Sequence, residues 1–118
     1  MGAERLTSEA EPLDPGAVIG ERYMSLTAEG RAGDCLCYRA EESATRTARV
    51  IVEYLPAGVA MRSPEGLVAP RSNDDAASYL NGRERFAARA QRLAQLSDAA
   101  LMRTWVALEE RGTVYAVV

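Results

Sequence analysis

The sequence predicts an α+β domain in which an antiparallel sheet packs against one long helix. Three β-like runs come first, at about residues 22–28, 34–40 and 47–54, and glycines or polar residues separate them. A helical pattern follows, and two further strands at about 101–108 and 113–118 flank a turn at 109–112. Strands and a single helix in this order predict a five-stranded, twisted antiparallel sheet with the helix against one face.

The helix is predicted over residues 75–96. Ser72 or Asn73 can cap it, two aspartates suit its first turn, and apolar residues recur near helical spacing up to residue 96. Gly82 is the point at which this helix could break. Prolines and glycines interrupt residues 55–71, which predicts a loop, and apolar patches at 59–61 and 67–68 could pair there as a small hairpin.

Composition excludes several classes of chemistry. All 14 basic residues are arginine, so the chain has neither lysine nor histidine. Without histidine there is no proton shuttle that works near neutral pH, and without lysine there is no Schiff base and no ammonium group to contact a phosphate. Arginine can still clamp carboxylates and phosphates. Usage rich in alanine and arginine suggests a bacterial genome of high GC content.

Charge and hydropathy indicate a cytoplasmic protein with no membrane span. The net charge is −3 and the signs are mixed, so no basic stripe predicts nucleic-acid binding. Neither a transmembrane run nor a signal peptide is present. Residues 1–16 lack apolar periodicity and predict a flexible N-terminal extension, which leaves residues 17–118 as one domain.

The amino-acid sequence resembles the N-terminal lobe of bacterial serine/threonine protein kinases of the KEYLPAG type. The similarity extends from about Pro15 to the end, through the runs PGAVIGERY, CLCYRA, VIVEYLPAGVAMR, ERFAARAQRLAQL and GTVYAVV. EYLPAG after a strand, with an ERF helix at a fitting distance, is the most specific part. The resemblance implies a kinase N-lobe-like fold.

The same resemblance shows where the nucleotide site has degenerated. In the glycine-rich pattern G-x-G-x-x-G-x-V, the first glycine is Gly30, whereas Ala32 and Cys35 replace the second and third and Cys37 replaces the valine. Side chains at those positions hinder the approach of backbone N–H groups to a triphosphate.

The catalytic ion pair is also missing from the aligned positions. Val52 stands where the V-A-I-K lysine would be, and Arg89 stands where its glutamate partner on the helix would be. The sequence ends at Val118, where a kinase would enter its C-lobe, so we expect no catalytic residues, no phosphoryl transfer and no bound ATP or Mg²⁺. The resemblance therefore implies a pseudokinase-like, non-catalytic N-lobe. The alternative is the ATP-binding lobe of a longer kinase-like protein with altered nucleotide binding.

Other residues have both a functional and a structural interpretation. Cys35 and Cys37 share one face of a strand, but without further Cys or His they predict reduced thiols and no metal site, unless two chains share them. Cys37 and Val50, which by resemblance roof an adenine ring, could keep a residual slot or could simply pack in the sheet. Arg85, Arg89 and Arg92 could form an anion-binding ladder with Arg89 beside Glu53 or another acid, or a solvated helix face.

A partner surface is predicted at the last strand. In a kinase this strand and the underside of the sheet adjoin the C-lobe, so a bare lobe would expose an edge to a protein partner or to a second copy of itself. The residues assigned to this surface are Trp105, Val114, Tyr115, Val117 and Val118. For Trp105, packing in the core is an equal alternative.

Overall fold

The computed structural model describes residues 11–96 and 106–118. Eight strands and one long helix follow one another in these ranges. The strands are β1 (Val18–Ile19), β2 (Tyr23–Ala32), β3 (Cys35–Glu42), β4 (Ala48–Tyr54), β5 (Ala60–Arg62), β6 (Val68–Pro70), β7 (Val106–Glu110) and β8 (Thr113–Val117). A 3₁₀ turn (Asn73–Asp75) leads into helix α1 (Ala76–Leu96), between β6 and β7.

The main sheet has six strands in the order β1-β2-β3-β4-β8-β7, so the predicted number of five is wrong. The additional strand is β1, whose Val18 and Ile19 pair with Met24 and Tyr23 of β2. Two residues are too few to show the alternation by which a strand is recognised in sequence. Neighbouring strands of this sheet pair antiparallel, as predicted.

The sheet curls until its first and last strands approach each other, which makes it nearly barrel-like. The backbone N–H of Gly20, just after β1, donates to the Glu110 carboxylate of β7 at 3.0 Å. Arg111, in the β7–β8 turn, donates from its guanidinium to the carbonyl of Val18 at 2.8 Å. That turn is tighter than the predicted span of 109–112, because Arg111 and Gly112 form it with φ of 56° and 78° and Glu109 and Glu110 remain in β7.

The curled sheet has a buried interior face and a partly covered outer face. Leu36, Tyr38 and Ala40 of β3 and Ile51 and Glu53 of β4 are buried in the interior. Residues between them point outward because side chains alternate along a strand. Helix α1 covers one end of the outer face and leaves the other end uncovered.

The segment before β1 and the β5–β6 hairpin both pack against the domain. The hairpin confirms the pairing expected from the two apolar patches. Leu13 is buried in the core, and its N–H donates to the Tyr38 hydroxyl at 3.0 Å. Residues 11–16 are therefore part of the packed structure, whereas the first ten residues lie outside the described ranges.

Helix α1 continues without a break through Gly82, where the sequence left room for an interruption. Gly82 lies directly against the sheet. A Cβ there would lie 2.1 Å from the hydroxyl oxygen of Tyr54, a buried residue of β4. The same hydroxyl donates to the carbonyl of Tyr79 at 3.0 Å, so the close approach fixes α1 on the outer face.

Replacing Gly82 by alanine should therefore destabilise the domain. Alanine favours a helix over glycine by up to about 1 kcal/mol, but forcing a methyl group into a packed contact costs about 1–3 kcal/mol. We expect a net loss in the free energy of unfolding, measured by urea denaturation. Adding Tyr54→Phe removes the clashing oxygen, so the double variant should lose less stability than the two single losses added together. A stabilising Gly82→Ala would contradict this packing.

Candidate functional site

The β2–β3 hairpin carries the positions that the resemblance aligns with the glycine-rich loop. Gly30 pairs with Cys37 and Ala32 pairs with Cys35, so the four aligned positions belong to one antiparallel ladder, just after a register shift between Ala28 and Gly30. The chain reverses at Gly33, whose φ is 61°, and at Asp34. Gly33 supplies the positive φ of this turn and does not restore the missing phosphate-loop glycines.

The tip of this hairpin is fastened to the end of β4. The N–H of Leu55 donates to the carbonyl of Asp34 at 2.9 Å, and the Arg31 guanidinium donates to the carbonyl of Leu55. Leu55 is itself completely buried. The hairpin therefore takes its position from the body of the domain.

A cavity of about 190 Å³ lies between the outer face of the sheet and helix α1. It brings together Val52 of β4 and Arg89 of α1, as the resemblance implies for the ion-pair positions, and it adds Cys35 from β3. The described residues that line it are Cys35, Val52, Phe86, Arg89, Ala90, Leu93 and Ala116. Gly30, Ala32, Cys37 and Val50, the other predicted residues of the vestigial site, do not line it.

The cavity is apolar apart from one cation. Within the part of the chain that the structure describes, Arg89 is the charged residue of its lining, and no carboxylate lines it. Among the described residues, no ion pair joins Arg89 to an acid. Burial, followed by the nearby Asp34 carboxylate, raises the pKa of the Cys35 thiol, while Arg89 opposes that rise. Cys35 is therefore a neutral thiol in an apolar wall.

Glu53 does not lie beside Arg89, so that part of the arginine-ladder hypothesis is wrong. Glu53 follows Val52 in β4, and successive side chains of a strand point to opposite faces. Its carboxylate is completely buried in the sheet interior, where the Arg62 guanidinium donates to it at 2.6 Å. Arg85, Arg89 and Arg92 are all exposed on α1.

The residues around Glu53 form a buried polar cluster that sequence reasoning missed. The Tyr38 hydroxyl donates to one carboxylate oxygen at 2.6 Å and the Tyr115 hydroxyl donates to the other at 2.7 Å. Burial and the Glu53 charge raise the pKa of both tyrosines. Burial lowers the pKa of Arg62, but the ion pair outweighs burial and leaves it raised. Alternation along β4 could have indicated that Glu53 is buried, because Glu53 lies two residues after Ile51 and therefore shares its interior face.

Most of the predicted partner surface is buried within the domain. Strand β8 lies between β4 and β7 and is not an edge. Val114, Tyr115 and Val117 are at most 1 % exposed, because the sheet interior and α1 cover the two sides of β8. Val118 is half-buried, and Trp105 lies outside the described residues. The prediction of an exposed edge at this strand is therefore wrong.

The uncovered end of the outer face lies beside Val50. Val50 is 47 % exposed, and its backbone exchanges two 2.9 Å hydrogen bonds with Val118. Cys37 lies opposite Val52 and diagonally from Val50, so these side chains share one face. We define the surface formed by Cys37, Val50 and Val118 as the open face.

The two cysteines are free thiols and both are half-buried. Within the described ranges, no group of three or more metal-binding side chains is found. None of the helices described there is long and apolar enough to cross a membrane.

Comparisons with known proteins support a kinase-like fold. No protein-family model matches the sequence, and no curated protein matches it. The solved structure of "PpkA-294 apo form", a bacterial serine/threonine kinase fragment, superposes with a TM-score of 0.75 at 25% sequence identity. The match covers 90% of this chain and 37% of that chain. The described architecture is that of a kinase N-lobe-like domain.

Proposed function

We propose that this chain is a non-catalytic, pseudokinase-like N-lobe that acts as a protein-interaction or regulatory module. The observation that carries the proposal is the cavity in which Val52 and Arg89 meet. At these aligned positions a kinase holds a lysine on the strand and a glutamate on the helix, and this pair orients the α- and β-phosphates of ATP. Here the strand contributes no charge and the helix contributes a cation.

The chemistry of this donor set does not fit Mg²⁺-ATP. The valine at residue 52 has no group that can bind the phosphates, and the sequence contains no lysine that could take over this contact. The aligned glycine-rich positions lie in a paired hairpin with Ala32 and Cys35 in place of glycines. No carboxylate from residues 11–96 or 106–118 lines the cavity to balance Arg89 or to approach a metal. No catalytic step is therefore derived for this chain.

The open face is the surface that we assign to a protein partner. It replaces the buried β8 residues of the original prediction. Val50 presents nearly half of its surface to solvent on a sheet face that α1 does not cover. Arg39 lies opposite Val50 on this face and is also exposed, so a partner would cover an apolar side chain bordered by a cation. Self-association is the form of this interaction that can be tested without knowing a partner.

The wild-type chain should show no response to nucleotide. A ligand that binds the native state raises stability by about 2.7 kcal/mol when present at 100 times its Kd. We expect millimolar Mg²⁺-ATP to leave the melting temperature unchanged and to yield no phosphorylated product. A reproducible rise in melting temperature with Mg²⁺-ATP would contradict the proposal and favour a lobe with altered nucleotide binding.

A double-mutant cycle supplies the matched control for the ion-pair positions. Val52→Lys alone would place an ammonium group in an apolar cavity beside Arg89 and should destabilise the domain. Combining it with Arg89→Glu should recover stability, with a coupling of about 1–3 kcal/mol. Absence of coupling would mean that these two positions cannot form an ion pair across the cavity.

Self-association, if the open face mediates it, should depend on Val50. We expect the wild-type chain to show a concentration-dependent mass in light scattering. Val50→Arg should shift the chain to monomer, because a charge at the centre of the contact must be desolvated. Val18→Arg is the control, since Val18 is 46 % exposed and lies on β1, away from the open face. A strictly monomeric wild type, or equal effects of both variants, would contradict self-association through the open face.

A further inference from the structure

The cavity between α1 and the sheet has the properties of a small-molecule site. It is closed on one side by the sheet residues Cys35, Val52 and Ala116, and on the other by side chains of α1. Ala116 pairs with Val52 across β4 and β8, and Ala90 faces them from the helix. Two alanines at this layer leave space that larger apolar residues would fill.

The volume sets the size of what can enter. A dry apolar cavity of about 150 Å³ in a protein core is large enough to hold benzene. The cavity here is about 190 Å³ and is lined by valine, phenylalanine, leucine and alanine side chains in addition to Cys35 and Arg89. It can therefore take one aromatic ring or a short branched alkyl group. Adenine with ribose and phosphates is too large to be enclosed in it.

The charge of Arg89 determines which polar group a ligand of this cavity should carry. Arg89 is exposed, so its guanidinium remains charged at the mouth of an apolar space. None of the described acids lines the cavity to neutralise it, and the Cys35 thiol carries no charge. A guanidinium binds a carboxylate through two parallel hydrogen bonds. Partial exclusion of water beside the apolar wall strengthens that contact.

We propose that this cavity binds a small apolar carboxylate, of the arylacetic or branched short-chain acid class. The ring or alkyl group fills the space between Val52, Ala116 and Leu93, and the carboxylate pairs with Arg89 at the mouth. The ligand would bridge β4, β8 and α1, so its binding would hold the helix against the sheet.

This binding mode rests on the proposed function, because a cavity committed to a nucleotide would not be free for another ligand. Different results would nevertheless contradict the proposed function and the proposed ligand class. Binding of Mg²⁺-ATP by the wild-type chain would overturn the non-catalytic assignment. Absence of carboxylate binding, with no response to Mg²⁺-ATP, would overturn only the ligand class assigned to the cavity.

The test uses phenylacetate as the probe and the full chain as the receptor. Titration followed by amide NMR should move resonances of Cys35, Val52, Arg89 and Ala116. Phenylacetamide has the same shape without the charge, and it should bind at least about tenfold more weakly, a difference of about 1.4 kcal/mol. Equal affinities for the acid and the amide would overturn the role of Arg89, and shifts confined to residues away from the cavity would overturn the site.

Variants of Arg89 and Arg92 distinguish recognition of the carboxylate in the cavity from nonspecific electrostatic attraction to the helix. Arg89→Gln should weaken phenylacetate binding about tenfold or more and leave phenylacetamide binding unchanged. Arg92→Gln is the matched control, because Arg92 is an exposed arginine of the same helix that does not line the cavity. It should leave both affinities unchanged. Equal losses in the two variants would overturn the site and indicate nonspecific attraction to a basic helix.

A second readout does not depend on any variant of the cavity wall. In a Cys37→Ser protein, Cys35 is the remaining thiol, so alkylation reports on the cavity directly. Saturating phenylacetate should slow alkylation of Cys35, whereas phenylacetamide at the same concentration should have a weaker effect. An alkylation rate that is the same with and without phenylacetate would contradict binding between β3 and α1.

Discussion

The carboxylate of Glu53 lies at the centre of the curled sheet, and the segments around it depend on that single buried charge. Its oxygens accept hydrogen bonds from Tyr38 of β3, Tyr115 of β8 and Arg62 of β5. Arg62 also donates to the carbonyls of Glu11 and Gly66, at 2.8 and 3.0 Å. Removing one partner of a buried ion pair typically costs about 3–5 kcal/mol. The cluster therefore joins the N-terminal segment, the small hairpin and the main sheet into one packed unit.

The alternation of side chains along β4 separates this structural role from the site on the other face. Glu53 points into the interior, whereas Val52 points toward α1 and lines the cavity. A change at residue 52 therefore alters the outer face without touching the hydrogen bonds of the cluster. This arrangement explains how residue 52 can be apolar without disturbing the interior of a kinase N-lobe-like fold. The same alternation places Val50 on the uncovered end of the outer face.

Local patterns predicted much of the fold, and long-range packing accounts for what they missed. The helix, the five predicted strands and the small hairpin follow from periodicity and turn residues, because these signals are local. Of the strand predicted at 101–108, residues 106–108 lie in β7 and the rest lie outside the described residues. β1 has only two residues, and its strand character comes from pairing with β2. The resemblance to kinases predicted that Val52 and Arg89 lie close together, and that prediction followed from the sequence. The burial of Val114, Tyr115 and Val117 did not, because no local pattern says that β8 lies between β4 and β7.

Ionisation of individual tyrosines tests the sealed Glu53 cluster most directly. Burial, with Glu53 as the next cause, raises the pKa of Tyr38 and Tyr115 above the ordinary value of 10.0. Above that pH the unfolded chain loses phenolic protons that the native chain keeps, so stability present below pH 10 is lost as pH rises. In ¹³C NMR of the tyrosine Cζ atoms, both residues should stay protonated until the protein unfolds. Ionisation of either residue near pH 10.0 in the folded protein would contradict a sealed cluster.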